Sequence, residues 1–153
     1  MRLYQRQYQR PMRHIWHNEP AKPDVSCYLE GKRLDLEIAH LYGSEAEAMA
    51  ILGRPLGPNT KAELIALQQT HASSRMLSAL ERIIWQKAQK YYLSQRVWLV
   101  IRNTHPIWHA EDLSLWWSDR PLPATLPFEQ IWLLPDFRGE MPLFQLYPRT
   151  AIL

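Results

Sequence analysis

Asp24 and Glu37 are the residues whose types and spacing first demand a chemical explanation. They end the stretch "DVSCYLEGKRLDLE", which reads as a β-hairpin turning at Glu30-Gly31. A two-residue turn there sets the register. Leu29 faces Lys32, Tyr28 faces Arg33, Cys27 faces Leu34, Ser26 faces Asp35, Val25 faces Leu36, and Asp24 faces Glu37. Because side chains alternate along a strand, Val25, Cys27, Leu29, Leu34 and Leu36 share an apolar face. Asp24, Ser26, Tyr28, Arg33, Asp35 and Glu37 share the polar one. Directly opposed Cβ atoms lie about 4.5–5.5 Å apart, and like charges at that spacing destabilise the pair. A cation between them, or a proton on one, removes the conflict. A divalent metal such as Mg²⁺, which commonly takes one or two carboxylates, is the simplest cation. Two solvated acids pointing apart at the strand ends is the competing reading of the hairpin alone.

Other constellations carry less. His14 and His17 stand three apart and His105 and His109 four apart, spacings that zinc sites use. Pro106 argues against a helix through the second pair, and no cysteine pair accompanies either, so surface or capping histidines fit better. There is no Gly-x-Ser-x-Gly and no phosphate-cradling glycine loop. Trp116-Trp117 fits one core and one rim residue better than a base-stacking pair.

The elements that must position the carboxylates follow from pattern. Strands are expected over 24–30 and 32–41, with helices opening at the capping boxes Ser44-x-x-Glu47 and Thr60-x-x-Glu63. Residues 74–93 form the strongest helix, with Leu77, Leu80, Ile84, Ala88 and Tyr91 as its apolar stripe. Lys87 lies at the margin of that stripe and Lys90 farther round. "RVWLVIR" (96–102) reads as a buried strand, 110–119 as a short helix, 121–127 as an extended loop, and 129–134 and 143–148 as further strands. Helices between strands imply an α/β domain with a mixed sheet. The first 18 residues are polar and basic, and Arg2, Arg6 and Arg10 would share one side of a helix. They read as a flexible basic arm, either solvated or touching phosphates.

"PDV" (23–25) and "EIA" (37–39), set in "EPAKPDV…GKRLDLEIA" and followed by "ALERIIWQKAQKYY" and "VWLVIRN", resemble the PD-(D/E)XK nuclease superfamily. The likeness is to its small bacterial members and covers roughly residues 18–103. It implies a restriction-endonuclease-like fold, a mixed β-sheet flanked by helices, with Asp24 and Glu37 binding Mg²⁺ or Mn²⁺ beside the Ile38 carbonyl. The family lysine usually stands two residues after the glutamate, where this chain has Ala39. Relatives lacking it recruit a lysine from the following helix, which nominates Lys87 as the third catalytic residue beside Asp24 and Glu37. Glu19 is a further acid that could join the site or stay in a surface loop. The implied activity is metal-dependent hydrolysis of phosphodiester bonds, in DNA first. The alternative is a catalytically inactive module of the same fold that binds nucleic acid or a protein, and Ala39 favours it.

The bulk properties agree with either reading. A chain of 153 residues with 46% hydrophobic and 22% charged content suits one domain with a sizeable core. A net charge of +3 permits a nucleic-acid partner without requiring one. The lone Cys27 excludes an internal disulfide, and no apolar run is long enough to span a membrane. These features, with no signal peptide in "MRLYQRQYQR", lead to the expectation of a cytoplasmic protein, and a homodimer is left open.

Overall fold

The computed structural model describes residues 1–20, 22–42, 53, 55, 57–59, 61–62, 72–104, 117–136 and 138–149. Its centre is a six-stranded sheet in the order β1 (Met12–His17), β2 (Val25–Leu29), β3 (Lys32–Leu41), β4 (Val97–Asn103), β5 (Gln130–Leu134), β6 (Phe144–Tyr147). β2 runs antiparallel to both β1 and β3, β3, β4 and β5 are mutually parallel, and β6 returns antiparallel to β5. Helix α1 (Arg2–Tyr8) precedes the sheet, and α2 (Ala72–Ala88) lies in the connection between parallel β3 and β4. The expected α/β class, a mixed sheet with helices, is what the chain forms. No helix among the described residues is long and apolar enough to cross a membrane.

The hairpin has the expected register from Val25↔Leu36 to Leu29↔Lys32. Glu30 (φ 51°) and Gly31 (φ 75°) are both left-handed, the type I′ geometry whose twist matches the flanking strands. β4 is one of the two central strands, and its run of Val97 to Ile101 is apolar without alternation because both faces are covered. Leu99 and Ile101 join Leu41, Ile131 and Leu133 under Leu77, Leu80 and Ile84 of α2. On the opposite face Trp98 joins Leu34, Leu36 and Trp132 beneath Tyr4 of α1.

Two expectations are corrected here. The first 18 residues are no free arm. They form α1 and the edge strand β1, and Tyr4 is buried with its ring 5.1 Å from that of Trp98. The helix ends at Tyr8 with Gln9 in a left-handed cap, so Arg10 leaves the row begun by Arg2 and Arg6 and pairs with Glu30 at 3.3 Å. The strong helix ends at Ala88 and not at 93, closed by turns in which Gln89 and Lys90 amides donate to the carbonyls of Gln86 and Lys87. Tyr91, expected to close the buried stripe, is 88% exposed, and Tyr92 packs instead on Phe128 at 5.5 Å. The capping boxes at Ser44 and Thr60 lie outside the described residues, as does most of the helix expected over 110–119. Trp117 is described and is buried, donating its indole N–H to the Leu146 carbonyl at 3.0 Å.

Candidate functional site

Alternation along β3 turns Leu34 and Leu36 down to the α1 side and Asp35 and Glu37 up to the α2 side. Glu37 is a carboxylate only 4% exposed, and the end of α2 arrives over it. Lys87, in the last turn of α2, donates from Nζ to Glu37 Oε1 at 2.6 Å. Its cation there also suits the negative end of the helix dipole. Lys90 Nζ reaches the same oxygen at 3.1 Å. A helix continued to residue 93 would set Lys90 farther round than Lys87, but the helix ends before it. The chain turns back and brings it to Glu37. The hydrogen bond to Glu37 raises the Lys90 pKa, against the opposing effect of burial. Tyr92 closes the site, its hydroxyl donating to the Lys87 carbonyl at 3.3 Å. Burial pushes its phenol pKa up strongly, and the Glu37 and Asp24 charges push it further.

Asp24 does not extend β2 as expected. The strand begins at Val25, and Asp24 Oδ2 instead accepts the Ile38 amide N–H at 2.7 Å. Pro23, freed from the ladder, gives its carbonyl to Asn18 Nδ2 at 2.7 Å. Repulsion between Asp24 and Glu37 is therefore relieved on both sides, by a backbone amide at one acid and two ammonium groups at the other. The Ile38 carbonyl points to the same strand edge as its amide, since both polar groups of a strand residue face one neighbour. Asp24, Glu37, Lys87 and Glu19 all line one cleft of about 1450 Å³. His14 and His17 do not converge. His14 packs its ring on Tyr28, and His17 pairs with Val25 in the strand ladder. His105 and His109 lie outside the described residues. Among the described residues, no three His, Cys, Asp or Glu side chains gather around one point.

The sequence reading missed a second network beside the first. Asp35 is 3% exposed, and its Oδ1 accepts from Ser26 Oγ at 2.5 Å and Arg33 Nε at 3.0 Å. Asn18 Nδ2 donates to the same Ser26 hydroxyl at 2.8 Å. Burial pushes the Asp35 pKa up, but hydrogen bonds from Ser26, Ser94 and Arg33 outweigh it and hold the pKa below 3.8. The register had placed Ser26, Arg33 and Asp35 on one face, yet nothing in it marked Asp35 as buried.

Because the folded-state pKa is depressed, the Asp35 contribution to stability is complete above its ordinary value of 3.8 and is lost as pH falls through the lower folded value. Asp35→Asn is expected to cost about 1.5–3 kcal/mol at neutral pH and to flatten the acid limb of stability. Urea unfolding across pH 2–7 measures both, and an unchanged acid limb would show that Asp35 is not the group responsible.

Comparison with known proteins adds no assignment: no protein-family model, no curated protein and no solved structure matches this chain.

Proposed function

We propose that this cleft hydrolyses phosphodiester bonds of nucleic acid, DNA in the first instance, as a restriction-endonuclease-like enzyme using Mg²⁺ or Mn²⁺. The observation that carries this reading is the ammonium of Lys87 at 2.6 Å from the buried Glu37, beside a position, Ala39, too small to supply a cation of its own. The donor chemistry fits a hard divalent ion, because Asp24, Glu37 and the Ile38 carbonyl offer only oxygen. Such an ion, when bound, would lower the pKa of its water and offset charge on the phosphate. The protein's own part is positional and electrostatic. Asp24 is fixed by the Ile38 amide, so its carboxylate is aimed before anything binds. Glu37 is fixed by burial. Lys87, whose ammonium stands beside Glu37, would donate to a phosphate oxygen and orient the attacking water.

Two measurements test the reading. Cleavage of single- and double-stranded DNA and RNA is expected with Mg²⁺ or Mn²⁺ and lost in EDTA. Calorimetric titration of Mg²⁺ is expected to give heat with the wild type and little with Asp24→Asn, which keeps an acceptor for the Ile38 amide but loses the charge. No cleavage of any of the four substrates, together with equal heats, would reject it. A second reading has its own observation. Lys90 already adds a second ammonium to Glu37, so the acids are neutralised without a metal, as in an inactive nucleic-acid- or protein-binding module. Metal-independent binding with no cleavage is the result that favours it.

A further inference from the structure

The core under α2 contains residues of β3, β4, β5 and β6 but none of β1 or β2. The same face of the sheet continues past the helix onto those two strands, where no helix among the described residues packs and Trp16 and Tyr28 are partly exposed. It carries aromatic rings there. Trp16 lies opposite Ser26 and therefore on the site face, and its ring centroid is 6.0 Å from that of Tyr28. Tyr28 is in turn 6.0 Å from His14. Trp16 and Tyr28 are 36% and 38% exposed, high values for rings on a sheet face. Arg33 lies over Trp16 with its guanidinium carbon 5.6 Å from the ring centroid. Its Nε is held by buried Asp35. The guanidinium over the ring is anchored through Asp35, which the Ser26 hydroxyl holds in turn.

We propose that this open face is a base-stacking platform for single-stranded nucleic acid, and that a strand lying on it leads into the Glu37–Lys87 cleft. The proposal deepens the nuclease reading by naming the form of the substrate. Flat exposed rings and a stacked guanidinium give binding energy to bases that are unstacked, whereas a duplex keeps its base faces hidden. The charges agree. Lys22, Lys32 and Arg33 line the same cleft as Lys87 and Lys90, cations within reach of a phosphate backbone beside the acids of the site. From Arg33 to Glu37 along β3 is about 13 Å, a distance that a few nucleotides span. Bases on Trp16 and Tyr28 would then place a backbone phosphate of the same strand near the two lysines.

The experiment is done in EDTA, so cleavage plays no part. Fluorescence anisotropy compares the full-length protein's affinity for labelled oligothymidylate, oligouridylate, an abasic strand of equal length and a hairpin duplex. Either base-bearing strand is expected to bind roughly tenfold or more tightly than the abasic strand, and more tightly than the duplex. Trp16→Ala is expected to remove that advantage while leaving abasic binding unchanged, and Trp16→Phe to retain most of it. The wild-type comparison needs no variant, and Tyr28→Leu gives a second one should Trp16→Ala fold poorly. Abasic or duplex binding equal to that of the base-bearing strands would overturn the proposal and leave the face to a protein partner. Cleavage with Mg²⁺ but no strand preference would keep the nuclease reading and remove the platform. Strand preference with no cleavage would keep the platform and remove the enzyme.

Discussion

Lys87→Met is expected to lower phosphodiester cleavage at least ~10²-fold, the usual loss when a positioned charge donor is removed from a reacting centre, while the protein stays folded. Methionine keeps most of the apolar stem that lies along the end of α2, so the change isolates the ammonium. Removing one partner of a buried ion pair is commonly costly because the other charge is stranded. Here Glu37 retains Lys90, 3.1 Å from the same oxygen, so the stability cost is expected to be small. Metal binding should survive and even strengthen, since Lys87 and a divalent ion would both draw on the Glu37 carboxylate. Lys90→Met is expected to have a weaker effect on cleavage, because more of that side chain is in water than of Lys87. The double variant should be non-additive, as expected of two groups that share one acceptor. It should also lose stability, because Glu37 is then buried without an ammonium. Cleavage rates, Mg²⁺ calorimetry and thermal melts on the three variants separate these effects. A Lys87→Met protein that cuts at the full rate would end the role assigned to Lys87 and leave the water to be activated by another group.

The parts of this site that could be read in the sequence are those fixed by local geometry. A two-residue turn at Glu30-Gly31 determines every pair from Leu29↔Lys32 to Val25↔Leu36, because a slip of one residue would send Leu34 and Leu36 into solvent. The parts that could not be read depend on where an element stops. Nothing in "QKAQKYYLS" is a proline or glycine, so periodicity alone carried the helix to residue 93. The chain leaves the helix at Ala88, and Tyr92 then packs against Phe128, a tertiary contact with no local signature. That early stop is what turns Lys90 toward Glu37. Asp24 shows the same limit in a strand. Its identity as a site candidate was visible, but not that its carboxylate takes the Ile38 amide while Asn18 takes the Pro23 carbonyl. Asp35 was legible as a polar-face residue, and its burial was not. Its Oδ1 is enclosed by Ser26, which Asn18 holds, and by Arg33, whose guanidinium lies over Trp16.

Truncating residues 2–13 is expected to destabilise the whole protein, and not merely to weaken nucleic-acid binding as a detachable arm would. The reason lies on the sheet face opposite the cleft. Leu36, Trp98 and Trp132 would face water there without Tyr4 and Met12, which are both 6% exposed. The Tyr4 ring meets Trp98 edge-on at 5.1 Å and Trp132 at 5.6 Å, contacts worth more than their buried area alone. Polar bonds tie the helix down as well. Gln5 Nε2 donates to the Met12 carbonyl at 2.9 Å, and Gln7 Oε1 accepts the Leu143 amide at 2.9 Å just before β6. The truncation also removes the start of β1 and leaves the Tyr28–Leu29 end of β2 without its partners Arg13 and Met12. The single change Tyr4→Ala tests the argument more cleanly. It is expected to cost about 3–5 kcal/mol, as for other large aromatic-to-alanine changes in a core, and to lower the melting temperature by roughly 10 °C. Tyr4→Phe keeps the ring and should lose far less. Arg2→Ala and Arg6→Ala, which touch only the charge of the helix, should leave the melting temperature nearly unchanged. Thermal denaturation of these four variants, alongside the salt dependence of oligonucleotide binding, distinguishes a structural helix from an electrostatic arm. If Tyr4→Ala melts with the wild type while Arg2→Ala and Arg6→Ala flatten the salt slope, the segment serves phosphate binding and not the fold.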